Sequence, residues 1–115
     1  MLVRVKDIEI TIGNRRSGGD GTYVGRPTAL GNPFSTTGGR GKAIDQYRVW
    51  LREKLTARDR AVCEAMERLR QRAIRTKRLV LLCWCHPLEC HAEVIAGELA
   101  KALSTGVAFD GEVKG

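Results

Sequence analysis

Residues 78–83 read RLVLLC, one arginine followed by five apolar residues. A short, uninterrupted apolar run that starts at a charge and ends at a turn is the pattern of a strand buried on both faces. Helical patterns stand before and after it, which is how the chain reaches a parallel strand in the middle of a sheet. Downstream, Trp84 to Glu89 form a short turn containing Pro87. From Cys90 on, Ala92, Ile95, Leu99 and Ala102 recur at helical spacing up to Gly106, with Gly97 weakening the middle. Upstream, Val62, Met66, Leu69 and Ala73 mark a helix that Asp59 can cap, with Cys63 beside the stripe as an inert buried thiol. Before that, Ile44, Tyr47, Leu51 and Leu55 mark another helix.

Further out the signals are shorter. Ile8, Ile10 and Ile12 alternate with polar neighbours, so they predict a half-buried strand ending at Gly13, with Val3 and Val5 as a preceding strand or as the start of this one. Residues 14–21, NRRSGGDG, predict a flexible glycine-rich loop whose Arg15 and Arg16 either fold over something or belong to a plain linker. Thr22 to Val24 predict a short strand. Ala29 to Phe34, ALGNPF, form a tight turn in which Gly31 and Asn32 tolerate left-handed backbone and Pro33 restricts its predecessor. Residues 107–115 are either an edge strand or a tail. The expectation is a single α/β domain of Rossmann-like type, with a short, mostly parallel sheet flanked by three helices in two or three layers.

The length of 115 residues suits one domain, and 43% hydrophobic with 29% charged residues suits a globular chain with one core. The longest apolar run is too short for a bilayer, and the N-terminal MLVRVKDIEI lacks the unbroken apolar stretch of a secretory signal. These features predict a cytoplasmic protein without membrane partners, in which clustered cysteines are metal ligands, active-site thiols or packing residues before they are structural disulfides. The net charge is +7, and ten basic residues against four acidic ones lie between Arg52 and Arg78. Glu64 and Glu67 interrupt this series and no aromatic residue accompanies it, so a solvated helix surface is the preferred reading over a nucleic-acid footprint.

Residues 81–91, LLCWCHPLECH, hold three of the four cysteines and both histidines. In parallel sheets, ligands bind beyond the carboxyl ends of the strands, where the loops diverge. Cys83 and Trp84 stand at such an end, and Cys90 and His91 stand at the start of a helix, where amides and the helix dipole favour anions and lower a thiol pKa. A ligand pocket is therefore the leading reading. Cys83, Cys85, Cys90 and His91 also make up a tetrahedral zinc set, although four ligands within nine residues lack the paired knuckles of common zinc folds. A redox pair among the cysteines and plain packing are the remaining alternatives. In the first turn, Arg26 can fork onto a phosphate, Gly31 permits close approach, Asn32 offers a donor and an acceptor, and Phe34 can stack. Arg26 as a surface ion pair, with Gly31 and Asn32 merely making the turn, is the plainer alternative.

GRPTALGNPF at 25–34, YRVWL at 47–51 and LVLLCWCHPLECH at 79–91, in that order, resemble a small phage and bacterial family, domain of unknown function family 4326, over about residues 22–103. The last motif is also similar to the Cys-His helix start of domain of unknown function family 488. His86 stands where the first family usually has a small residue. The resemblance implies a Rossmann-like sheet with ligand-binding loops at one edge, and it adds Gly25, Pro27, Pro33, Cys85 and Pro87 to the residues already named.

The reading is a binding protein for a nucleotide or another phosphorylated small molecule. Its ligand-binding residues would be Arg26, Gly31, Asn32, Phe34, Cys83, Trp84, Cys90 and His91, with the anion on Arg26 and the amides of Cys90 and His91. One alternative is a nucleoside or nucleotide glycosidase or transferase using Cys90 or His91 as nucleophile or base. Another is a zinc-stabilised module touching nucleic acid, with Cys83, Cys85, Cys90 and His91 on the metal. A phage-encoded chain would work in the host cytoplasm.

Overall fold

The computed structural model describes residues 2–16, 21–34, 38–84 and 90–109. In chain order the elements are strands β1 (Leu2–Val5), β2 (Ile8–Asn14) and β3 (Thr22–Tyr23), helices α1 (Arg40–Thr56) and α2 (Arg60–Thr76), strand β4 (Arg78–Cys83) and helix α3 (Ala92–Thr105). The four strands form one mixed sheet in the order β1-β2-β4-β3. RLVLLC is an inner strand: β4 pairs in parallel with β2 on one side and with β3 on the other. Only the β1–β2 hairpin is antiparallel.

The register explains the burial. Ile10 lies opposite Leu79 and Ile12 opposite Leu81, so the alternating isoleucines of β2 and the odd-numbered residues of β4 share one face of the pleat. That face is the core: Ile10, Leu79, Leu81 and Cys83 are at most 1% exposed. It merges with Tyr47 and Leu51 of α1, Met66 of α2 and Ile95 and Leu99 of α3 into a single cluster. The helices therefore lie on one side of the sheet, and the domain has two layers. On the opposite face Glu9, Thr11 and Val80 are only half-buried. Leu82 is the exception there, sealed by Gly21, where an added Cβ would stand 2.8 Å from Leu82 Cγ.

Two boundaries differ from expectation. β2 runs on through Gly13 to Asn14, because parallel pairing with Leu82 and Cys83 outweighs the conformational cost of glycine. The Arg15 amide then donates to the Cys83 carbonyl at 2.9 Å, so the loop opens later than residue 14, and residues 17–20 of it lie outside the described residues. Residues 107–109 form no regular strand; the Phe109 amide donates to Glu67 Oε1 at 3.1 Å and ties this segment to α2, while residues 110–115 lie outside the described residues. The helix ends follow their sequence signals. The Asp59 carboxylate accepts from the Val62 amide at 3.1 Å, and α3 stops at Gly106 with φ +73°.

Candidate functional site

Parallel pairing carries the ends of β2, β3 and β4 to the same margin of the sheet. There the chain leaves β3 through Val24 and Gly25, and leaves β4 through Trp84. A cavity of about 220 Å³ opens between these exits and the start of α1. The first turn contributes Arg26, Asn32 and Phe34, and the second contributes Cys83, Trp84, Cys90 and His91. Seven of the eight residues singled out as ligand-binding therefore line one space. Gly31 does not: an added Cβ there would lie 2.8 Å from Arg26 N and 2.9 Å from its Cα, so the close approach that needs glycine is made by the chain's own backbone. Neither Gly31 nor Asn32 has positive φ.

The first turn is held from inside. The peptide between Arg26 and Pro27 is cis. Arg26 Nε donates to the Asn32 carbonyl at 2.7 Å and an Nη to the Phe34 carbonyl at 3.1 Å. Two of the five guanidinium donors thus build the turn, and Arg26 is a positioning residue whatever else it meets. Asn32 closes an Asx turn, its Oδ1 accepting from the Phe34 amide at 2.9 Å while Nδ2 donates to the Ala43 carbonyl at 3.4 Å. Leu30 anchors the turn to α1, for its carbonyl accepts from the buried Tyr47 hydroxyl at 2.7 Å.

The mouth is aromatic and cationic. Trp84 is 53% exposed and meets Tyr23 edge-on at 6.4 Å. The Arg15 guanidinium lies 4.1 Å from the Tyr23 ring centre and 5.9 Å from that of Trp84, and the Arg16 guanidinium lies 5.6 Å from Trp84. Asn14 fixes this corner, its Nδ2 donating to the Trp84 carbonyl at 3.2 Å.

The floor carries the cysteines. Cys83 and Cys90 are buried with their Sγ atoms 2.9 Å apart, a thiol contact longer than the about 2.05 Å of a disulfide. Cys85, the third thiol of the zinc set, lies outside the described residues, as do His86 and Pro87. Among the described residues no three His, Cys, Asp or Glu side chains converge on a point where a metal could sit. Glu93, in the first turn of α3, reaches back to the Cys90 amide at 3.2 Å. That amide therefore has the protein's own carboxylate as its partner.

His91 is 7% exposed and packs edge-on against Tyr47 at 5.0 Å. Its Nε2 lies 2.8 Å from the Val24 carbonyl, which can only accept, so the proton is on Nε2 and the lone pair on Nδ1. Among the described residues no buried side-chain nitrogen or oxygen lacks a partner, and the ring has no partner besides Val24. His91 is itself among the residues that line the cavity. Burial lowers the ring's pKa; the Val24 carbonyl opposes this, and the Arg26 charge adds to it.

Because the folded ring resists a proton that the unfolded one takes near pH 6.5, the stabilisation is intact above that pH and lost as pH falls below it. Glu67 titrates in a separate window. Burial pushes its carboxyl up, but Arg70, Gln71 and the Phe109 amide outweigh this and hold it at about 2. Its contribution is lost only below the ordinary carboxylate range. Thermal melting is expected to weaken between pH 7 and about pH 5, and His91→Gln to flatten that drop. An equally steep drop in His91→Gln assigns it elsewhere.

Tyr23, Arg40, Ala43 and Ile44 also line the cavity and are not singled out by the sequence. Tyr23 had a faint signal, an aromatic between two glycines two residues apart from it, whereas the helix residues become walls only through packing. No curated protein and no solved structure matches the chain. The model of the family described as Domain of unknown function (DUF4326) matches residues 11–101, a span that includes both turns, and the chain belongs to that family.

Proposed function

We propose that the domain binds a nucleotide or another phosphorylated small molecule in this cavity, at the edge of a Rossmann-like sheet. The observation that carries the reading is the convergence of two distant turns on one space with an aromatic and cationic mouth. A base can stack on Trp84 or Phe34, and Arg15, Arg16 and the remaining donors of Arg26 supply positive charge for phosphate. The cavity volume suits a base with its sugar, leaving phosphate at the mouth.

The chain has two tryptophans, so a Trp50→Phe background makes Trp84 the sole indole reporter. Titration of that protein with nucleoside mono- and diphosphates is expected to quench its fluorescence saturably, with matching heat in calorimetry. Trp84→Ala is expected to weaken binding about fivefold to a hundredfold, given about 1–3 kcal/mol per stacked base. Silence across the panel in calorimetry rejects the reading.

A second reading, turnover of the same ligand class, is favoured by His91. Its neutral ring lines the cavity and is oriented by the Val24 carbonyl on Nε2, which leaves the Nδ1 lone pair to act as a general base. Mass spectrometry of a nucleotide panel incubated with the protein separates the two readings, since a product formed by the wild type and missing with His91→Ala identifies an enzyme.

A further inference from the structure

The second concavity of the molecule, about 880 Å³, runs along α2. Arg68, Arg72 and Arg75 line it at spacing i, i+4 and i+7 and are all exposed. The acids of the same helix are occupied. Glu64 pairs with Arg60 at 2.9 Å, and Glu67 takes Arg70 at 2.8 Å together with Gln71 and the Phe109 amide. Among the described residues, none of the three groove arginines has an ion-pair or hydrogen-bond partner for its guanidinium. Arg58, at the α1–α2 turn with φ +57°, also lines the groove, as does the Glu64-paired Arg60. The charge series that the sequence shows as mixed is thus sorted by the fold into paired acids and an uncompensated basic row. Glu64 and Glu67 line the same concavity, but each is paired with an arginine, so the lining keeps a net positive charge that suits an anionic occupant.

The opposite wall is Thr22 of β3. Thr22 is paired with Leu81 and Tyr23 with Leu82, so their side chains leave opposite faces of the strand. Tyr23 lines the cavity of the first site. One two-residue strand therefore separates the basic groove from the aromatic mouth.

We propose that the α2 groove holds the sugar–phosphate backbone of a nucleic acid. Arg68 to Arg75 span about 10 Å of helix, the reach of a few consecutive phosphates at about 3.4 Å of axis per strand. The groove contains no aromatic side chain, so it contacts backbone and leaves the bases unread. The choice of nucleic acid over an acidic protein rests on the reading of the neighbouring cavity as a nucleotide site; the basic groove itself does not.

The test is fluorescence anisotropy of the full chain with a fluorescein-labelled single strand of about 15 nucleotides, and with a duplex of that length, between about 50 and 200 mM salt. The wild type is expected to bind at least one of the two, with log K falling by about 2–4 per decade of salt for three to four phosphate contacts. In the triple variant Arg68→Gln, Arg72→Gln, Arg75→Gln, affinity at about 100 mM salt should fall at least tenfold and the salt slope should become shallower by about 2. Its melting curve and its affinity for a mononucleotide should not change. Wild-type affinity in the triple variant, or no binding to either oligonucleotide at low salt, overturns the proposal. Displacement by polyglutamate as effective, charge for charge, as displacement by unlabelled oligonucleotide also overturns it and makes the groove a surface for acidic protein. Oligonucleotide binding that depends on the arginines, without any mononucleotide binding, keeps the groove and rejects the cavity reading alone.

Discussion

Leu81→Ala is expected to lower the stability of the domain by about 2–5 kcal/mol. Leu81 is fully buried in β4, opposite Ile12 on one side and Thr22 on the other. Truncation loses its transfer free energy and leaves a void that two paired backbones cannot collapse to fill. Small domains hold about 5–15 kcal/mol in total, so a change of this size brings the chain close to unfolding at physiological temperature. Urea denaturation followed by circular dichroism reads the effect as a shift of midpoint at unchanged slope. Leu2→Ala is the control: Leu2 is 55% exposed on the outer strand, and its removal should cost less than about 0.5 kcal/mol. Equal losses in the two variants would contradict the placement of RLVLLC inside the sheet.

Tyr47→Phe should cost about 1–3 kcal/mol although no carbon atom is lost. Phenylalanine preserves the ring that packs against Trp50 at 5.3 Å and His91 at 5.0 Å. What disappears is the donor to the Leu30 carbonyl, and that carbonyl then stays buried without a partner. Burial, and secondarily Cys90, pushes the phenol pKa far above its ordinary value, so the hydroxyl remains protonated at every workable pH. The loss should accordingly be the same at pH 6 and pH 8, unlike that of His91→Gln. Because Leu30 leads into the GNPF turn, ligand affinity is expected to fall together with stability. Full stability in Tyr47→Phe would show that the anchor between the turn and α1 contributes nothing.

The parts of the fold that the sequence made legible are those where one physical signal dominates. The apolar run at 79–83, the alternation at 8–12 and the three helical stripes each predict burial, and all of these residues are buried except Leu55 and Val80, the latter half-buried because the helices cover one face of the sheet where burial on both faces is expected. The continuation of β2 through Gly13 and Asn14 is not legible, because it depends on a partner strand more than sixty residues away. Likewise the coming together of both turns is a product of parallel pairing and has no local trace, although the order strand, turn, helix made it a reasonable expectation. The internal hydrogen bonding of the site was the least accessible part. Arg26 and Asn32 have the same chemistry whether they face a ligand or a carbonyl, and only the folded chain brings the carbonyls of Asn32, Phe34 and Ala43 to them. The sorting of charge along α2 is not legible for a related reason, since sequence spacing counts Glu64 and Glu67 without showing which arginines they neutralise.

The self-braced first turn has one more consequence. Arg26, Asn32 and the Leu30 carbonyl are immobilised by the protein before anything enters the cavity. A guest of the proposed site would therefore meet a preorganised wall and surrender little conformational entropy on that side. Association there should resemble a key entering a finished lock, fast and with small structural adjustment, and the discrimination between guests should reside in the stiffness of the frame as much as in the contacts it offers.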